Sequence, residues 1–176
     1  YKKFHEFIFQ EKFAKFFINK FKKDILSSRF NDLFAFSKLL RPYKYNKKLK
    51  SKFFQNIQTR IEFSYVKNNG KLRPHTDNRK KLISLMLYFP DFDDDVNEKS
   101  LGTVFYESNQ KNYKNKHLDF EDEKIFKKKS KIFYKTLFEK NCLYGFVRNE
   151  KSWHSLDIMK INKNYIRKSI NINFFV

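Results

Sequence analysis

The texture of the sequence changes at Arg60, and this change constrains the fold more than any other feature. Beyond Arg60 the chain consists of short runs rich in β-branched and aromatic residues, separated by turn signals such as Asn68-Asn69-Gly70 and by Pro90. Runs of this length and composition are typical of β-strands. The predicted strands are residues 60–66, 82–89, 102–107, 132–138, 143–148, 152–156 and 166–176. Strands that follow helices in this way predict an α+β protein with a β-sandwich or barrel core.

The residues before Arg60 are spaced as in helices. Residues 11–26 predict an amphipathic helix, because their aromatic residues recur on one face. Those aromatic residues are Phe13, Phe16, Phe17 and Phe21. Residues 47–57 predict a second amphipathic helix, whereas residues 4–10 are interpreted as a short strand.

We expect the whole chain, residues 1–176, to form a single domain, since its length is enough for one hydrophobic core. Residues 1–59 would be mostly helical support and residues 60–176 the β-core. Two polar segments interrupt that core: an acidic loop at residues 91–100 and a Lys-rich segment at residues 108–130. The Lys-rich segment is interpreted as a mobile insertion.

The net charge of +20 is the feature that would favour a nucleic-acid partner. The excess is nearly all Lys, however, whereas readers of phosphates and bases tend to rely on the Arg fork. Lys, Asn, Ile and Phe are all abundant here, and all have A/T-rich codons, so genome composition explains the same surface. Residues 127–129 are accordingly interpreted as a solvated loop.

Two further observations bear on location. No stretch approaches the roughly 18 uninterrupted apolar residues of a membrane span. Cys142 is the only cysteine, so an internal disulfide is excluded, which fits a reducing cytoplasm. Because the sequence begins at Tyr1, it leaves open a preceding segment.

The first candidate for chemistry is His75-Thr76-Asp77. Residues two apart in a strand point to the same face, so His75 and Asp77 can present an imidazole and a carboxylate to one point. The pair alone is a weak signal, since chance supplies it in roughly one chain in five of this composition.

Trp153-His154-Ser155, on a predicted late strand, supplies a third ligand. Two His and one carboxylate form a facial triad, which leaves positions open on an octahedral iron. A structural zinc site would normally use four ligands, often cysteines, and Cys142 is alone. Trp153 itself is interpreted as a packing residue, and His5 and His117 as surface residues.

A third candidate, Arg167-Lys168-Ser169, follows on the last predicted strand. Arg167 and Ser169 share one face of it. An Arg fork beside a hydroxyl is suited to hold a carboxylate by charge-assisted hydrogen bonds.

In this order, these residues resemble the prolyl-4-hydroxylase-like branch of the Fe(II)- and 2-oxoglutarate-dependent dioxygenases. That family's pattern is His-x-Asp, a distal His, and then Arg or Lys, often as Arg-x-Ser. The resemblance runs from about Arg60 to Phe175 and more loosely over the preceding helices. Flanking features that agree with it are Tyr65, Asn78, Tyr88, Gly102-Thr103 and Asn141.

The resemblance implies a double-stranded β-helix (a jelly-roll, cupin-like core) with N-terminal helices packed on its major sheet. It implies Fe(II) as the metal, held by His75, Asp77 and His154. The cosubstrate-binding residues that it implies are Arg167, Ser169, Tyr88 and Tyr65. The implied reaction uses dioxygen, converts 2-oxoglutarate to succinate and CO2, and hydroxylates a substrate that is a small molecule, a peptide or a glycan. Ascorbate is implied as an accessory reductant.

Three alternatives remain open at this level. A basic nucleic-acid-binding module would use the β-core as a platform and bind in a salt-dependent manner that is indifferent to iron. A nucleic-acid demethylase of the same superfamily usually has a second Arg six residues after the first, and Asn173 occupies that position here. A cupin-like binding or sugar-modifying protein would hold a different metal.

Overall fold

A computed structural model describes residues 2–30, 57–91, 101–110, 118–159 and 165–176. Within them the chain is mixed α+β and mainly β, which confirms the predicted class. The four helices are α1 (Lys2–Ile8), α2 (Glu11–Lys20), α3 (Lys22–Phe30) and α4 (Phe120–Lys129). The eight strands are β1 (Gln58–Lys67), β2 (Leu72–His75), β3 (Lys81–Tyr88), β4 (Val104–Glu107), β5 (Lys131–Lys135), β6 (Leu143–Val147), β7 (His154–Leu156) and β8 (Ile166–Phe175).

The strands form two four-stranded antiparallel sheets. The major sheet has the order β1-β8-β3-β6, and the minor sheet has the order β2-β7-β4-β5. The ten-residue strand β8 lies between β1 and β3 and pairs along its length with both. Most of the strand pairing among the described residues therefore involves β8.

The N-terminal helices pack on the outer face of the major sheet, as predicted. One buried isoleucine from each helix carries the contact: Ile8, Ile18 and Ile25. They pack against Ile170, Ile172 and Phe174 of β8. Burying a side chain of this size stabilises the fold by about 1.5–3 kcal/mol. The predicted helix at residues 11–26 is present as α2 and α3, which are separated at Phe21.

The prediction of a strand at residues 4–10 is wrong, because most of this segment belongs to the helix α1. Phe4 and Ile8, four residues apart, both pack into the helix–sheet core. That spacing places both on one face of a helix, whereas a strand would also need a neighbour for its backbone hydrogen bonds.

The interpretation of residues 108–130 as a mobile insertion is also wrong for its second half, which contains α4. Asp119 caps this helix, since its Oδ1 accepts from the backbone N–H of Asp122 at 2.8 Å. The first turn is acidic and the last turn is basic, which favours a helix at both ends. Residues 127–129 are thus the last turn of a helix rather than a loop. Phe126 anchors it with its ring centroid 4.6 Å from that of Trp153.

The remaining predictions divide into two groups. The strand predictions after Arg60 are confirmed with shifted ends, and the turn at Asn68-Asn69-Gly70 is present. The second helix at residues 47–57 and the acidic loop at residues 91–100 fall almost entirely outside the described residues, as does His117. Among the described helices, none is long and apolar enough to cross a membrane.

Candidate metal centre and its cavity

A cavity of about 250 Å³ lies between the inner faces of the two sheets. One wall of this cavity is polar because successive side chains of β8 point to opposite faces of the sheet. Ile170, Ile172 and Phe174 point to the helices, while the alternate residues line the cavity. The lining residues of β8 are Arg167, Ser169, Asn171 and Asn173. One strand therefore supplies both the hydrophobic core and the polar wall of the site.

His75, Asp77 and His154 come together at one end of this cavity. One ligand atom from each lies within 4.8 Å of the other two, which is close enough to hold a metal ion. The antiparallel pairing of β2 with β7 produces this, because His75 and His154 are register partners. Their ring centroids are 4.3 Å apart. Asp77 lies just beyond the end of β2, and its Oδ2 is 3.9 Å from His154 Nε2.

Backbone carbonyls orient both imidazoles. His75 Nδ1 lies 2.9 Å from the carbonyl oxygen of Arg73, and His154 Nδ1 lies 3.0 Å from that of Ser152. Each Nδ1–H can donate to its carbonyl, which leaves each Nε2 as the lone-pair nitrogen. Such a hydrogen bond fixes the tautomer and the ring orientation of a metal-binding histidine.

Three basic or hydroxyl side chains hold Asp77. Lys81 Nζ donates to Oδ1 at 2.9 Å, and Ser84 Oγ donates to Oδ2 at 2.7 Å. Arg148, which is buried, donates from Nε to the backbone carbonyl of Asp77 at 2.9 Å. The carboxylate is therefore fixed in place by contacts from β3, and its backbone by a contact from the end of β6.

These contacts also set the protonation state of the group. Burial acts to raise the pKa of Asp77, but the charges of His154 and Lys81 and the hydrogen bonds from Lys81 and Ser84 outweigh it and lower the pKa to about 2. Burial lowers the pKa of His154, and the neighbouring Asp77 only partly offsets this. An ionised carboxylate beside a neutral imidazole is the state in which both bind a metal.

This donor set fits a divalent transition metal. Two imidazole nitrogens and one carboxylate leave several coordination positions open, which is the arrangement of non-haem Fe(II) oxygenases. Cys142 forms no part of the group, and no further His, Cys, Asp or Glu of the described residues joins it. A closed structural site is therefore not formed by these residues.

Arg167 lies at the other end of the same cavity. Its side chain is buried, with Nε donating to the carbonyl of Leu101 at 2.7 Å and Nη1 donating to Ser169 Oγ at 3.3 Å. No carboxylate of the described residues pairs with its guanidinium. Burial lowers the pKa of Arg167, yet a guanidinium stays charged in proteins. A buried cation without a carboxylate partner is costly unless an anion joins it.

The two tyrosines that the sequence singled out are placed differently. Tyr88 is buried, and its ring centroid lies 5.0 Å from Arg167 Cζ. Its hydroxyl lies 2.8 Å from Thr103 Oγ1 and 2.9 Å from Thr136 Oγ1. The structure does not bring Tyr65 to the site: it is 67% exposed and lies on the face of β1 opposite to Ser64 and Val66, which line the cavity.

A close backbone approach positions the Arg167 end. A Cβ on Gly102 would lie 1.6 Å from the carbonyl oxygen of Thr136, so this position requires glycine. The approach places the Leu101 carbonyl against Arg167 and the Thr103 hydroxyl against Tyr88.

Sequence reasoning missed Lys81, Ser84 and Arg148. The signal for Ser84 was available, because it is a hydroxyl inside the otherwise apolar run 82–89. Lys81 and Arg148 carried no such signal, since basic residues are abundant along the chain.

No protein-family model matches the sequence, and no curated protein matches it either. Function is therefore inferred from the geometry of the cavity and from the motifs of the sequence.

Proposed function

We propose that this protein is an Fe(II)- and 2-oxoglutarate-dependent dioxygenase of the prolyl-4-hydroxylase-like kind. The observation that carries the proposal is that one cavity contains both the His75–Asp77–His154 group and the buried guanidinium of Arg167. The first fits Fe(II) with open positions. The second fits the far carboxylate of a dicarboxylate that reaches the metal with its other end.

The strand order supports a double-stranded β-helix as the framework. Successive strands alternate between the two sheets from β1 to β4 and again from β5 to β8. Such alternation is typical of jelly-roll proteins. The candidate ligands of β2 and β7 and the polar residues of β8 line the same cavity between the two sheets.

The residues have separable tasks in this proposal. His75, Asp77 and His154 would hold Fe(II), and Lys81 and Ser84 keep the Asp77 carboxylate ionised and oriented. Arg167 and Ser169 would bind and orient 2-oxoglutarate, with Tyr88 packed against the guanidinium. Met86, Phe146 and Leu156 line the cavity with apolar surface that excludes water. The bound iron and cosubstrate would supply the oxidising chemistry, in which dioxygen provides one oxygen atom to the succinate formed with CO2 from 2-oxoglutarate and the other to the hydroxylated C–H bond.

Succinate release tests the proposal. The purified protein with Fe(II), 2-oxoglutarate and dioxygen is expected to release succinate slowly even without a substrate, and ascorbate is expected to prolong this turnover. Metal binding is measured separately by titration with Fe(II) under anaerobic conditions. His75→Ala is expected to abolish both.

His5→Ala is the matched control, because His5 is exposed on α1, away from the metal group. It should leave metal binding and succinate release as they are in the natural sequence. Intact metal binding and turnover in His75→Ala would contradict the proposed site, and loss of both in His5→Ala would point to a general folding defect.

A further inference from the structure

Polar side chains line one wall of the cavity without belonging to the metal group or to the contacts of Arg167. Three of them are Glu62, Asn171 and Asn173. They lie on the adjacent strands β1 and β8, where Glu62 is the register partner of Asn171. Nothing in the binding of a metal or of a dicarboxylate accounts for this polar wall.

Asn173 is the least explained of the three. It is fully buried, yet neither its Oδ1 nor its Nδ2 has a hydrogen-bond partner. A buried polar group without a hydrogen-bond partner destabilises the fold. Its register partner on β3 is Ser84, whose hydroxyl donates to Asp77. The residue with this free donor and acceptor therefore lies one strand spacing, about 5 Å between backbones, from the residue that holds Asp77.

Glu62 is exposed and forms no ion pair with any of the described residues. Two cations, Arg60 on the same strand and Lys71 in the cavity lining, are engaged elsewhere. Lys71 Nζ lies 2.7 Å from Glu123, and Arg60 Cζ lies 4.7 Å from the ring centroid of Phe175. In a chain of net charge +20, an unpaired carboxylate at the cavity opposes the general sign of the surface. A fixed charge of this kind favours partners of the opposite sign.

The position of Glu62 suits a substrate that enters from solvent. β1 is an edge strand of the major sheet and β2 is an edge strand of the minor sheet, and both strands contribute cavity-lining residues. Along β8, Asn171 and Asn173 are about 7 Å apart. A molecule held by Glu62 at the exposed edge can therefore reach Asn173 and the metal group beyond it.

We propose that this wall is the substrate subsite and that it takes a cationic, amine-bearing substrate. Glu62 pairs with the ammonium group, and the amide of Asn173 bonds a neutral polar group of the substrate nearer to the metal. The subsite's role in hydroxylation rests on the proposed function, whereas its binding of an amine does not. Nucleic acid and other polyanions are disfavoured at this wall, because Glu62 would repel them.

The test compares amines with neutral molecules of the same shape. Binding is measured by calorimetry in the protein loaded with Mn(II) and 2-oxoglutarate, so that no turnover occurs. Putrescine is paired with butanediol, and an acetylated, amidated Gly-Lys-Gly peptide is paired with its norleucine counterpart. Each amine is expected to bind at least about tenfold more tightly than its partner, which corresponds to about 1.4 kcal/mol. The substrate is a free metabolite if putrescine shows the larger preference, and a peptide if the Gly-Lys-Gly peptide does.

Glu62→Gln is expected to reduce this preference to near unity without repacking the core, since Glu62 is exposed. Glu107→Gln is the matched control, because it removes an exposed glutamate from β4, outside the cavity lining. It should keep the preference. Asn173→Ala is expected to weaken both members of a pair equally, because it removes a neutral contact.

The outcomes separate this inference from the proposed function. If the protein binds metal and 2-oxoglutarate but shows no amine preference, or the same preference in Glu62→Gln, the inference is overturned and the proposed function stands. If it binds neither metal nor 2-oxoglutarate, the amine titration is repeated on the metal-free protein. A preference that depends on Glu62 then supports the subsite and leaves only its catalytic role without support, whereas its absence overturns the subsite as well.

Discussion

The two ends of the cavity are built in different ways. At the end that contains His75, Asp77 and His154, called the metal end, the candidate ligands come from the short strands β2 and β7 and from the residues just after β2. Every ligand there already has a partner from the protein: a carbonyl for each imidazole, and Lys81 and Ser84 for Asp77. At the other end, Arg167 lies within the long strand β8 and has no carboxylate partner among the described residues.

This difference predicts how the ends behave without ligands. Each of the three side chains at the metal end already has a hydrogen-bond partner, so their geometry is held before a metal binds. The Arg167 end carries an uncompensated buried charge, so it gains from an anion. We therefore expect mutations at the two ends to separate metal binding from anion binding.

The largest effect is expected from His154→Ala. Removing one of three ligands should reduce metal affinity by more than the roughly 10–100-fold that is typical of a change outside the coordination shell. Binding of glutarate, a dicarboxylate that lacks the keto group, should persist in the metal-free protein through Arg167. Calorimetry with Mn(II) and with glutarate measures the two separately. Loss of both together would break the distinction between the ends.

Arg167→Met is expected to have the next largest effect, on the anion alone. Truncating one partner of a buried charge pair costs about 2–5 kcal/mol, so the Kd for 2-oxoglutarate should rise by about two orders of magnitude or more. The increase in Tm that 2-oxoglutarate gives the natural sequence should disappear, while the Mn(II) affinity stays the same. Lys168→Met is the matched control, since it removes a cation from the other face of β8, where Lys168 pairs with Asp91. Unchanged 2-oxoglutarate binding in Arg167→Met would remove Arg167 from the site.

Ser84→Ala tests whether the metal end is held by its surroundings. It removes the hydrogen bond to Asp77 Oδ2 but leaves that from Lys81 to Oδ1. Metal affinity should fall by about tenfold, the lower end of the range for such residues. Glutarate binding should not change. A metal affinity equal to that of the natural sequence would show that Lys81 alone orients the carboxylate.

The smallest effect is expected from Glu123, which ties β2 to α4. Its carboxylate lies 2.7 Å from Lys71 Nζ and 3.0 Å from Lys127 Nζ. Burial acts to raise the pKa of Glu123, but these lysines outweigh it and hold the pKa below its ordinary value of 4.5. The contribution to stability is thus present above that value and lost as the pH falls through the lowered pKa. Because β2 carries His75, this loss should lower the affinity for a metal and leave anion binding at Arg167 unchanged.

Thermal unfolding from about pH 6 to about pH 3 measures this contribution, which is expected to be below about 1 kcal/mol. Glu123→Gln should be less stable than the natural sequence at the upper end and equal to it at the lower end. If the stability difference between Glu123→Gln and the natural sequence stays the same as the pH falls, Glu123 contributes through hydrogen bonding rather than through its charge.

Local pattern was enough to predict the secondary structure where the period was clear. The run 82–89 and the alternation of residues 166–176 predicted β3 and β8, since each buries a face against a core. The pattern failed at residues 4–10, where a short aromatic stretch fits both periods. It failed again at residues 120–129, where the abundance of Lys hid a capped helix.

The candidate site shows the same division. The residues that could bind a metal were identified from the sequence motifs. The shared face of Arg167 and Ser169 followed from their spacing along a strand. Lys81, Ser84 and Arg148 could not be assigned to Asp77, because contacts between side chains of different strands depend on register. Tyr65 shows the converse, since its distance along the chain from His75 matched the motif but its side chain lies on the other face of β1.

By itself the sequence determined which residues are candidates for metal and anion binding and which faces are apolar, because residue type and period are properties of the chain. Only the tertiary structure decided that His75 lies opposite His154, 79 positions later. The same folding placed Arg167 in that cavity without a carboxylate and left Glu62 and Asn173 on its wall. The physical reason is that these meetings depend on the pairing of strands far apart in sequence, and the burial of a whole sheet face, rather than any local motif, selects that register.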